Sequence, residues 1–111
     1  MIARGILEAH GYRVSEASDG SEGLARLARG ERFSLMVLDL DMPMLGGRQV
    51  LAAVRGSLTT TGLPVLVLTG TPDRDSEIEL MEQGADDYVR KPIEPRRFLA
   101  RVGAALRRAG A

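Results

Sequence analysis

Apolar positions along the chain switch between helical and strand spacing. Ile2, Ile6 and Leu7 share one helical face and Gly11 stops it, which predicts a helix over 2–10. Tyr12 to Ala17 has the pattern of a short strand. Asp19-Gly20-Ser21 is a turn with a capping residue, and it opens a helix over Ser21–Arg29 with Leu24, Ala25 and Leu27 inward. Phe33 to Leu40 is the most apolar run and predicts a strand buried on both faces, as in parallel sheets. A loop over Pro43–Gly47 precedes a helix over Gln49–Arg55 with Val50, Leu51 and Val54 inward. Gly56 to Leu63 reads as a polar loop. Pro64–Thr69 reads as a second buried strand, Asp73–Gln83 as a helix ended by Gly84, and Asp87–Arg90 as a short strand ending at Pro92. Glu94–Arg108 closes the pattern as a long helix with Phe98, Leu99, Val102 and Leu106 inward.

Strands alternating with helices at this spacing predict an α/β fold with a mostly parallel sheet and right-handed crossovers. In such sheets ligands sit beyond the carboxyl ends of the strands. The residues at those ends are Asp39, Thr69 and Lys91. They are a carboxylate that can attack a phosphoryl group, a hydroxyl that can hydrogen-bond its oxygens and an ammonium that can neutralise its charge.

Composition narrows the classes. The 111 residues suit one domain, and 44% apolar residues suffice for a packed interior. No apolar run reaches the ~18–20 residues of a membrane span. Met1-Ile2-Ala3-Arg4-Gly5 does not open like a signal peptide. The absence of cysteine excludes disulfides and thiolate metal sites. These features predict a soluble cytoplasmic protein. Fifteen basic residues balance fifteen acidic ones, which argues against nucleic acid as a direct ligand. Lys91 is the only lysine in an arginine-rich chain, which suggests a position that needs a compact ammonium.

Asp39-Leu40-Asp41-Met42-Pro43 after an apolar strand resembles the phospho-acceptor signature of bacterial response-regulator receiver domains. Pro64 to Gly70 resembles their fourth strand, which ends in Thr and a small residue. Gly84 to Pro92 resembles their fifth strand with its Lys-Pro end. The intervals from Asp39 to Thr69 and from Thr69 to Lys91 are those of the family, and the resemblance runs from Ile2 to Arg108. It implies a CheY-like, flavodoxin-like doubly wound sheet of order 2-1-3-4-5. It implies that Asp39 takes a phosphoryl group from a histidine kinase or phosphotransfer protein, and that Thr69 and Lys91 hold the phosphoryl oxygens. Asp39 and the backbone carbonyl of Asp41 would hold Mg²⁺. Thr69 and Tyr88 would be the switch pair, and the Lys91–Pro92 bond would be cis. Asp86 and Asp87 read as solvated, and lone His10 as a partner of a helix dipole.

Receiver domains open with a strand that ends in two adjacent acids. Here the chain starts within the first helix, so the resemblance implies an N-terminally truncated receiver domain over 1–111, short of ~10–15 residues by the family pattern and strand rise. A start assigned at an internal Met, or a natural degenerate receiver, would produce this. The absent strand would be central and would leave a gap of roughly 9–10 Å between the strands at 12–17 and 33–40. Without the acid pair, Mg²⁺ binding is expected to be weak or absent. That favours an alternative, a pseudo-receiver interaction module that is not phosphorylated. A haloacid-dehalogenase-like phosphatase would share the Asp-x-Asp of Asp39 and Asp41, but Met42-Pro43 replaces its Gly-Thr and there is no room for a cap. The chain is thus expected to be no enzyme. Two homodimer routes are expected: the 73–108 face, with an acidic and a basic helix, and the open sheet gap.

Overall fold

The computed structural model describes residues 2–41, 46–70 and 74–110, apart from the side chain of Arg74. Met42, Pro43 and Asp73, singled out above, lie outside the described residues. The elements are α1 (Ile2–Ala9), α2 (Gly20–Ala28), β1 (Met36–Asp39), α3 (Gly47–Gly56), β2 (Val65–Thr69), α4 (Arg74–Glu82), β3 (Asp87–Arg90) and α5 (Pro95–Arg108). The three strands form one parallel sheet in the order β1-β2-β3, with helices on both faces.

Alternation along β2 divides the core. Val65 and Val67 point to one face and pack with Leu38, Val50, Leu51, Val54, Leu80 and Ala85, under α2, α3 and α4. Leu66 and Leu68 point to the other and pack with Ala3, Leu7, Val89, Phe98 and Val102, under α1 and α5. A period of two in the middle strand thus feeds two apolar layers from five consecutive residues, all buried.

Local chemistry sets the helix starts. The Asp19 carboxylate accepts from Glu22 N at 2.9 Å and caps α2. The Glu94 carboxylate accepts from Arg96 N and Arg97 N ahead of Pro95, and caps α5. The Gln49 side chain accepts from Gly46 N at 3.0 Å, so α3 begins at Gly47, two residues earlier than its pattern suggested.

Four expectations are corrected. Residues 12–17 form no strand: among the described residues no strand lies beside them to supply a ladder, and of these six only Val14 is among the apolar side chains packed against the core. The strand expected over 33–40 shortens to Met36–Asp39 and is half-buried apart from Leu38. Its ladder begins where Pro64 O accepts from Met36 N at 2.9 Å, since Pro64 has no N–H to extend it, and β1 is paired on one side only. The inward face of α1 is Ala3, Leu7 and the half-buried Ile6, whereas Ile2 is 73% exposed. Ala25 of α2 also faces outward.

Candidate functional site

Register places the site. Asp39 pairs with Leu68, and Thr69 pairs with Arg90, so β1, β2 and β3 finish at one level. The backbone N–H of Leu40 donates to Leu68 O at 3.0 Å, and that of Lys91 donates to Thr69 O at 2.8 Å. These two bonds fix the chain just past each strand, where Asp39 and Lys91 project from opposite sides of β2. Thr69 closes β2 between them and is buried, at 4% exposure.

The ammonium of Lys91 lies 2.7 Å from Asp39 Oδ1 and 2.9 Å from Asp41 Oδ2. Asp39 Oδ1 also accepts from the Asp41 backbone N–H at 2.8 Å. Side-chain exposure is 26% for Asp39, 29% for Lys91 and 58% for Asp41, so the pair is sheltered and the second acid stands at the rim. Partial burial by itself pulls the Lys91 ammonium down. The hydrogen bonds and charges of Asp39 and Asp41 outweigh it and hold the group above its ordinary value. The Lys91–Pro92 bond is cis. Beside the pair opens a cavity of about 260 Å³ lined by Ile2, Leu68, Pro92 and Ile93.

Tyr88 stands on β3 one residue before Val89, so it faces the α3–α4 layer. The Glu77 carboxylate of α4, as acceptor for its hydroxyl, together with burial, holds the phenol above its ordinary value. Glu77 was not singled out in the sequence, because nothing in an acidic helix marks which carboxylate meets a tyrosine on another element.

Asp86 and Asp87 are not the solvated acids expected from the sequence. Asp86 Oδ2 accepts from Arg55 NH2 at 2.8 Å and from Val65 N at 2.7 Å. Asp87 accepts from Arg101 NH1 at 2.8 and 3.0 Å and from its neighbour Tyr88 N. Both lie at the amino ends of the strands, away from Asp39. Arg55 also donates to Gly84 O, Thr61 O and Leu63 O, which ties the entries of β2 and β3 to the end of α3.

The fit of a divalent ion can be judged from the donors. A hard dication of the Mg²⁺ class takes about six oxygens in tight octahedral geometry. Among the described residues no three acidic or imidazole groups converge, and both carboxylates at the sheet edge are already engaged by Lys91. These donors do not by themselves make a magnesium site.

The response regulator receiver domain family matches residues 1–103 of the chain. The transcriptional regulatory protein KdpE of Mycobacterium tuberculosis is 41% identical over 92% of this chain and 43% of its own length. The alkaline phosphatase synthesis transcriptional regulatory protein PhoP of Bacillus subtilis is 42% identical over 92% of the chain and 41% of its length. The chain thus spans less than half of these curated relatives. Among solved structures, a CheY-like receiver domain protein of Methanospirillum hungatei superposes with a TM-score of 0.87 at 28% identity, covering 98% of this chain and 85% of that one. The chemotaxis protein CheY4 of Vibrio cholerae gives 0.85 at 30% identity, covering 94% and 86%. Receiver domains of this kind are signalling modules that interact with histidine kinases and phosphotransfer proteins and in general bind Mg²⁺. With its parallel sheet, its two helical layers and this match over nearly its whole length, the chain belongs to the receiver-domain family of two-component response regulators.

Proposed function

We propose that the chain is a phospho-accepting receiver in which Asp39 is the acceptor. The observation that carries this reading is the Lys91 ammonium seated 2.7 Å from Asp39 Oδ1 at the carboxyl edge of the sheet. An Asp39 oxygen attacks the phosphorus of a phosphohistidine on a histidine kinase or phosphotransfer protein. The P–N bond breaks, the imidazole nitrogen keeps the electron pair, and an aspartyl phosphate remains. Lys91 supplies charge to the phosphoryl oxygens and Thr69 a hydroxyl. Magnesium binding is weak, because the described carboxylates are few and already paired. The chain turns over no substrate and binds no nucleic acid directly, in keeping with its zero formal charge.

The reading is tested with a small acyl-phosphate donor and intact-mass detection. A single phosphoryl adduct is expected to form slowly and to require high Mg²⁺, and Asp39→Asn is expected to abolish it. An adduct that persists in Asp39→Asn moves the acceptor elsewhere. Complete absence of an adduct favours the second reading, a pseudo-receiver, which the sparse acid set supports.

Output passes through association of two copies by the face of α4, β3 and α5. Ile78 and Met81 of α4 are 48% and 46% exposed and offer the apolar contact that ion pairs alone would not replace. Within one copy Arg101 is already paired with Asp87, Glu79 with Arg48, and Glu77 faces Tyr88, so the charges of that face left for a partner are Asp75 and Glu82 of α4 and the other arginines of α5. Sedimentation at low and high salt tests this: the dimer weakens with salt, and a monomer in both conditions removes it.

A further inference from the structure

The family resemblance implies a backbone-carbonyl role for Asp41, yet its side chain is the second anchor of Lys91. The ammonium has three protons. One is aimed at Asp39 Oδ1 at 2.7 Å and one at Asp41 Oδ2 at 2.9 Å. One remains for any incoming oxygen. Asp41 is held for this purpose from behind: its own backbone N–H donates to Asp39 Oδ1 at 2.8 Å, which fixes the turn after β1. Gly70 lies alongside, where an added Cβ would stand 3.4 Å from Asp41 Oδ2 and 3.9 Å from the Lys91 side chain. Two carboxylates and one ammonium leave the sheet edge with one net negative charge, facing a ligand that is itself an anion.

We propose that the Asp41 carboxylate is a positioning residue that parks Lys91 across the mouth of the site and sets how readily a phosphoryl group displaces it. This rests on the reading of Asp39 as acceptor, and it concerns the regulation of that site. A phosphoryl oxygen reaches Lys91 by accepting a hydrogen bond from its remaining N–H or by displacing Asp41, and it meets the Asp41 charge as it does so. Asp41 is 58% exposed and can swing away, whereas Asp39 is sheltered. The rim acid is therefore the partner that yields. Removing its charge frees one donor of the ammonium and one repulsion against the anion.

Lys91 is the only lysine, so ¹⁵N-lysine labelling yields a single ε-ammonium signal. Inorganic phosphate is titrated in metal-free buffer and followed on that signal. In Asp41→Asn and Asp41→Ala the half-saturating phosphate concentration is expected to fall about fivefold, the size of one screened charge interaction at a half-open site. Asp41→Glu is expected to stay within about twofold of the parent, since charge is retained. Backbone amide spectra confirm that each variant is folded. The proposal is overturned if the neutral variants bind phosphate no more tightly, or if the Lys91 signal ignores phosphate in every form. Because no phosphoryl transfer is measured, this outcome is separate from failure of Asp39 as acceptor, which the adduct assay reads.

Discussion

Lys91 Nζ touches Asp39 Oδ1 although 52 residues separate them in the chain. The contact follows from two registers in series. β1 is set against β2 by Asp39 opposite Leu68, and β3 against β2 by Arg90 opposite Thr69. β1 delivers Asp39 directly after Leu38, β3 delivers Lys91 directly after its last residue Arg90, and β2 is narrow enough for a lysine stem to cross.

Replacement of Lys91 tests the charge and the reach separately. Lys91→Met leaves two carboxylates facing each other without a cation and is expected to lower phosphoryl labelling of Asp39 more than about tenfold, the usual scale for losing one preorganised charge. Lys91→Arg keeps the charge in a planar, longer group and is expected to recover only part of the rate. Intact-mass time courses with an acyl-phosphate donor make the comparison.

The bond from Tyr88 to Glu77 is expected to appear in an ultraviolet pH titration. Of the two tyrosines, Tyr88 ionises above the ordinary value of 10.0 because its neutral hydroxyl donates to a carboxylate. The folded state holds that proton more tightly than the unfolded chain does. The stability contributed is therefore complete below the unfolded value and is lost as pH rises through the folded one. Glu77→Gln is expected to bring the transition back toward 10.0. An unchanged titration curve would separate the two side chains.

Arg55 is expected to be the most sensitive charged position for stability. Arg55→Ala strips donors from the carbonyls of Thr61, Leu63 and Gly84 and leaves Asp86 without its cation. Water reaches part of this cluster, so the loss is expected near ~2 kcal/mol in denaturant unfolding. Arg55→Lys is expected to recover little, because one ammonium cannot serve carbonyls on three sides. A loss below ~0.5 kcal/mol would make the cluster a surface feature.

Gly47 sits where α3 passes the end of β1. A Cβ there would lie 2.7 Å from Leu40 Cδ2 and 3.0 Å from Leu40 Cα. Gly47→Ala therefore forces the backbone next to Asp39 to shift, and is expected to cost ~1–3 kcal/mol. It is also expected to displace the Lys91 ammonium signal. A stable variant with an unmoved signal would show that the junction relaxes by rotating Leu40 alone.

Much of this architecture was legible in the residues. β2, β3, α3 and α5 lie close to their patterned positions because strong apolar periodicity, Pro64, Glu94-Pro95 and Gly84 act locally. Asp39, Thr69 and Lys91 were placed at strand ends by the same logic. Residues 12–17 and 33–35 misled, because strand formation needs a partner ladder that an apolar pattern cannot reveal. The pairing of Asp86 and Asp87, the reach of Glu77 to Tyr88 and the second hold of Asp41 on Lys91 were equally hidden. Each joins elements whose relative placement is set by tertiary packing, and an acid in sequence looks the same whether water or arginine faces it.

The unequal support of the strands makes the site mechanically uneven. β2 is bonded on both sides and buried along its whole length, whereas β1 is bonded on one side only. Amide hydrogens of β2 and the Thr69 end will therefore exchange with solvent only on global unfolding, while those of Met36–Asp39 will exchange through a smaller opening. Asp39 rides on the strand that opens first. Fluctuations that free it from Lys91 need not disturb Thr69, so the time Asp39 spends within reach of its lysine is governed by the free energy of a local fraying event and tracks neither the melting temperature nor the packing of the core.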